Sequence, residues 1–166
     1  MTYRLALLFS LLMLISSCAD YDLSNSGNIP RDLLDSSVQL FDGIVVENSS
    51  IIIDGAELWK VKIENSAGAA LTFYWQKQYQ ILFRIVGDQG PFNYELKPPV
   101  NVLVYSTAKF LAFDGFSNET LESWRLLRDG DKNRNWVYQF YLQGRNDPIS
   151  INAINGELIQ SYSGSI

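Results

Sequence analysis

Few side chains in this sequence are equipped for covalent or acid–base chemistry. Histidine is absent, and Cys18 is the lone cysteine. Those two facts remove Ser-His-Asp triads, Cys-His dyads, histidine-containing zinc sites and any intramolecular disulfide. Carboxylates are plentiful, and a pair flanking a bond would suit glycosidase-type acid–base work. The candidates are Asp54, Glu57, Asp114, Glu119 and Glu122, most of them beside turns or caps, and no spacing gathers two of them into a cleft. Ser106 and Lys109 stand three apart on an expected helix, as a Ser–Lys pair would, but a capping role explains Ser106 more simply. Asp129-Gly130-Asp131-Lys132-Asn133 begins as a calcium loop does. Arg134 and Phe140 then hold the positions where an EF-hand needs Gly and Glu. No catalytic residue, cofactor or metal site is expected, and a carboxylate-based hydrolase is a remote alternative.

Aromatic side chains carry the other candidate chemistry. Phe73, Tyr74, Trp75, Tyr79, Phe83, Phe92 and Tyr94 crowd one stretch. Consecutive rings in a strand point to both faces of the sheet, because side chains alternate. One face must be core. The other is most simply covered by a helix or by a second half of the chain; if it is exposed, it is an apolar patch suited to a protein or peptide partner. Tyr74, Trp75, Tyr79, Phe92 and Tyr94 are the partner-binding candidates.

The elements that must position these residues belong to a chain of 166 residues, 47% hydrophobic and 19% charged. That is globular composition, with room for one ordinary domain or two small modules. Thirteen basic residues face 18 acidic ones, a net charge of −5. An acidic surface argues against nucleic-acid binding, which needs a basic footprint.

Residues 1–17 have the pattern of a secretory signal peptide: Arg4, then an almost wholly apolar run from Leu5 to Ile15, too short to span a bilayer comfortably. Residues 18–30 are polar and rich in Ser, Asn and Gly, the composition of a flexible tether. A β-rich half is expected over 31–97. Pro30 suits the start of a short helix through Leu33 and Leu34, with a strand from Val38 as the competing reading. Ile44–Val46 and Ile51–Ile53 are β-branched runs. Trp59–Ile63 and Leu71–Trp75 alternate, with a turn at Asn65–Gly68 between them; Ile81–Val86 is a third strand, and the three read as an antiparallel meander.

Pro98-Pro99 opens a second half, 98–166. A short helix is expected over Ser106–Phe113, capped by Ser106 and stopped near Gly115. Strands follow at Leu121–Leu127, Trp136–Leu142 and Ile149–Ile154, and Asn155-Gly156 is a tight-turn signal. The fold class is α+β: antiparallel meanders with one or two short helices. Trp59 and Trp124, and likewise Phe73 and Tyr138, share an offset of 65 residues, which suggests duplicated halves against a single sheet whose strands merely share alternation.

Two resemblances add to this. Leu14-Ile15-Ser16-Ser17-Cys18 resembles the lipobox of bacterial lipoproteins. The resemblance implies cleavage between Ser17 and Cys18 and diacylglycerol and acyl chains on Cys18, a stable membrane anchor. A plain signal peptide cut near Ser17 is the competing reading. Ala19 directly after the cysteine, rather than Asp, favours the outer membrane over the inner membrane. Asp20 and Asp22 resemble surface-export signals of some Gram-negative groups. Separately, Ile149-Ser150-Ile151-Asn152-Ala153-Ile154-Asn155-Gly156-Glu157-Leu158-Ile159 resembles the closing hairpin of the PepSY domain. Ser106–Ala112 and Trp136–Phe140 resemble its helix and middle strand. Tandem helix-plus-sheet arrangements are also similar to β-lactamase-inhibitor-like folds. The PepSY resemblance implies a non-enzymatic binding or inhibitory module for a peptidase or other envelope protein. A structural subunit of an envelope assembly is the alternative.

Overall fold

The computed structural model describes residues 29–88, 94–113, 120–128 and 135–159. The expected signal peptide and most of the expected tether lie outside the described residues, as do Phe92, Asp114, Gly115, Glu119 and Asp129–Asn133.

Helix α1 (Arg31–Leu40) is followed by strands β1 (Ile44–Ile53), β2 (Ala56–Glu64), β3 (Ala70–Gln76) and β4 (Ile81–Asp88). Helix α2 (Tyr105–Phe113) and strands β5 (Leu121–Arg128), β6 (Trp136–Leu142) and β7 (Ile149–Asn152) complete the order. The strands form one antiparallel sheet in which spatial order equals chain order, β1 to β7. The α+β expectation holds, with β dominating.

Between Pro30 and Phe41 the helix prevails over the competing strand. Pro30 precedes the first turn, and its carbonyl accepts from the amides of Leu33 and Leu34. Leu33 and Ser37, one turn apart, are the buried residues of this helix. A serine on a buried face breaks an apolar pattern, but here its polarity is satisfied. Ser37 Oγ donates to Leu33 O (2.8 Å) and accepts from Trp75 Nε1 (2.9 Å), which fastens helix to sheet. The two apolar runs at 44–46 and 51–53 belong to a single strand. Glu47 to Ser50 between them pair in register with Lys62 to Trp59. The connection to β2 is Asp54-Gly55, both at positive φ (50° and 78°), the two-residue turn whose twist suits a hairpin. Helix α2 begins at Tyr105, so Ser106 lies exposed within the first turn rather than ahead of it as a cap.

Both helices cover the same face. One cluster joins Leu33, Phe41, Tyr105, Ala108 and Ala112 to Val61, Phe73, Ile85, Trp124, Tyr138 and Ile151. The segment between β4 and α2 threads this layer: Tyr94, Leu96 and Val102 are buried, Lys97 N donates to Leu40 O, and Leu103 N donates to Ala153 O. The segment carrying Pro98-Pro99 therefore packs against both halves, and the sheet runs on unbroken through the β4–β5 pairing.

At that pairing Gly87 stands opposite Trp124. A side chain on Gly87 would collide with the indole ring, which is fully buried. Gly87→Ala should therefore cost about 1–3 kcal/mol through overpacking. The check is urea unfolding of the full chain, with a lowered midpoint at unchanged slope.

Candidate functional site

The expected partner-binding aromatics do not form one surface. Tyr74 and Trp75 project to opposite faces, as alternation requires. Tyr74 is half-buried on the face away from the helices, with the Arg84 guanidinium 4.7 Å from its ring. Trp75 is buried against α1. Tyr94 is buried too, with ring centroids 5.2 Å from Tyr105 and 5.3 Å from Trp124. Trp75 and Tyr94 thus belong to the core, because each supplies a ring to the layer between sheet and helices. Tyr79 is exposed in the β3–β4 turn. Phe92, Ser17 and Cys18 lie outside the described residues. Among the carboxylates proposed for acid–base work, Asp54, Glu57 and Glu122 are exposed, and Glu57 pairs with Lys77 at 3.4 Å. No group of three or more metal-ligating side chains occurs among the described residues.

A different surface stands out, and the sequence reading did not single it out. The two sheet edges are treated unequally. The β7 edge is covered by the chain's own return: Leu158 bridges to Ile151, Ile159 N donates to Ser150 O, and Asn152 N donates to Glu157 O. β1 pairs with β2 along its whole length and with no other described strand. Ten residues of strand thus present one unpaired row of backbone donors and acceptors. Along it Ile44, Val46 and Ile52 are 62%, 46% and 71% exposed. A register shift between Val45 and Glu47 kinks the strand, and the Glu47–Lys60 ion pair braces it at 2.6 Å. An open groove of about 750 Å³ adjoins the beginning of β1, lined by Phe41, Asp42, Ile44, Glu64, Glu95 and Lys97. Three carboxylates there face one ammonium, so the groove is electronegative. The Asp-Gly turn after Ile53 was the available sequence signal for the hairpin. Nothing in the pattern marks which strand is outermost.

Behind the site, the aromatic layer sets the electrostatics of the interior. Burial, and secondarily the neighbouring Tyr94, raises the Tyr105 hydroxyl well above the ordinary tyrosine value. Burial, and then Tyr105, does the same for Tyr138, whose hydroxyl donates to Leu103 O at 2.9 Å. An acid whose folded-state pKa is raised gives full stabilisation below its unfolded value, near 10.0, and loses it as pH rises beyond. Part of the tyrosine ionisation signal should therefore appear only together with unfolding above that pH. Alkaline titration followed by near-ultraviolet difference absorbance and far-ultraviolet dichroism checks this.

No protein-family model matches the chain, and neither the curated proteins nor the solved structures provide a match.

Proposed function

We propose that this chain is a lipid-anchored envelope protein that binds a protein partner without catalysing a reaction, by adding an extended segment of that partner to the open edge of β1. The observation that carries the reading is the ten-residue edge strand with exposed Ile44, Val46 and Ile52 beside an electronegative groove. Strand addition draws affinity from main-chain hydrogen bonds and specificity from alternate side chains. The fitting partner segment is extended and apolar in alternation, with a basic residue where it meets Asp42, Glu64 and Glu95.

The anchor rests on the apolar N-terminal run and the lipobox-like Leu14–Cys18, with lipid on Cys18 and the outer membrane favoured. The finer architectural reading is two PepSY-like halves sharing one sheet. It draws support from the repeated order of a helix followed by an antiparallel meander, and from the closing turn at Asn152–Glu157. On that reading the partner is a peptidase or another envelope protein held in check by capture of a strand.

Two experiments test this. Metabolic labelling with palmitate should mark the wild-type chain and fail to mark Cys18→Ser, which should also lose detergent-phase partitioning. A photo-crosslinker at Ser50 in intact cells, read by mass spectrometry, should capture one envelope protein. That capture should fall several-fold in Ile52→Lys and in Val46→Pro, and persist in Tyr79→Ala. Recovery of only abundant envelope proteins, indifferent to these substitutions, would overturn the binding role and leave a structural subunit in its place.

A further inference from the structure

The sheet face opposite the helices carries two arginines that no ion pair among the described residues neutralises. Alternation and register align Tyr74, Arg84 and Leu127 in one cross-strand row, and Val86, Arg125, Gln139 and Ser150 in the next. Arg84 and Arg125 are thereby diagonal neighbours on adjacent strands, a separation of about 7–8 Å that long side chains easily bridge. Arg84 is only 8% exposed, and its Nε has no hydrogen-bond partner. Among the described residues, neither arginine has a carboxylate within ion-pair distance; the ion pairs there use Arg31, Lys60 and Lys77 instead. In a chain with a net charge of −5, a buried cation beside a second cation and without a counter-ion is an expensive arrangement.

The surroundings define what would relieve it. Each guanidinium stacks on a tyrosine, Arg84 over Tyr74 and Arg125 over Tyr141, both at 4.7 Å. Stacking occupies the flat face of the fork and leaves its N–H edge for an acceptor. Tyr141 donates its hydroxyl to Gln139 Oε1 at 3.0 Å, which fixes the buried Gln139 amide with its nitrogen as a further donor beside Arg125. Ser150, next in the row, is buried with its Oγ unpartnered. Burial first, and then repulsion from Arg125, lower the Arg84 pKa, the response of a cation lacking an anion; Tyr74, Tyr141 and Asp54 oppose this more weakly. The two guanidiniums and the Gln139 amide nitrogen offer N–H donors here, and the Ser150 hydroxyl can add an O–H. A planar or tetrahedral oxyanion accepts from two such forks at once.

We propose that the sheet face opposite the helices holds an oxyanion site, in which the Arg84 and Arg125 guanidiniums clasp one carboxylate or phosphate group with the Gln139 amide beside it. The site is separate from the β1 edge and does not depend on strand addition there.

The test uses the full-length chain in detergent, titrated with sodium phosphate and, separately, with sodium glutarate. Sodium chloride at matched ionic strength is the control, and calorimetry and thermal unfolding are the readouts. Saturable heat and a raised unfolding temperature with phosphate or glutarate, beyond chloride, are expected, and the salt that saturates first names the source of the oxyanion. Arg125→Gln, at a half-buried position that tolerates the change, should weaken binding about tenfold or more, as loss of a charge-assisted hydrogen bond implies. Arg84→Lys keeps the charge but loses the fork, and should weaken it as well. Lys109→Gln, on the helix side, should bind as the parent does. Responses no greater than with chloride, or undiminished binding in Arg125→Gln, would overturn the site.

Discussion

The indole of Trp124 lies where any side chain on Gly87 would stand, and this one exchange of space holds the two ends of the sheet together. Among the described strands, β4 and β5 are the sequential pair farthest apart along the chain, so their ladder needs an added reason to form. Trp124 supplies it. From β5 it reaches across the bare backbone of β4 and packs against Tyr94 of the connection and Tyr105 of α2. It also meets Tyr138 of the next strand. Strand, connection and helix thus converge on one ring. The cost appears as an indole Nε1 and a Tyr105 hydroxyl that are buried without partners, tolerated within a large apolar layer.

With both helices committed to that layer, the opposite face and the outer strand take on different tasks. The covered face is aromatic and aliphatic. The other collects Lys62, Arg84 and Arg125 together with the Lys60–Glu47 ion pair, a mostly basic stripe on an acidic molecule. Closing the β7 edge with residues 157–159 leaves β1 as the strand able to accept another, and the Val45–Glu47 irregularity and Glu47 itself temper its tendency to pair indiscriminately.

Much of this architecture was legible from the chain. Trp59–Ile63 and Leu71–Trp75 alternate because one sheet face is core and the other is not, and period two records that directly. Helix α1 was harder to read, since its buried face includes Ser37, whose oxygen bonds back to Leu33 O and accepts from a tryptophan 38 residues away. β1 looked like two runs because an edge strand tolerates polar residues in its middle. The aromatic cluster misled for a related reason: local spacing assigned Trp75 and Tyr94 to a surface, whereas their burial depends on α1 and on a connection whose path no local pattern encodes. Arg84 and Arg125 lie 41 positions apart, and only the β4–β5 register makes them neighbours.

Neighbour-by-neighbour strand order has a kinetic consequence. When space repeats sequence, nearly every pairing is a hairpin between adjacent segments, and the loop-closure entropy of each step is small. A chain emerging from a narrow passage can therefore zip its early strands, from α1 to β4, before its later ones arrive. The span from Asp88 to Leu121 is the exception, and its closure carries a larger entropy cost than the hairpins elsewhere. The second half then either docks on the β4 edge or waits with that edge bare, so the same ladder that unifies the native sheet is the point at which its assembly is most exposed to a wrong partner.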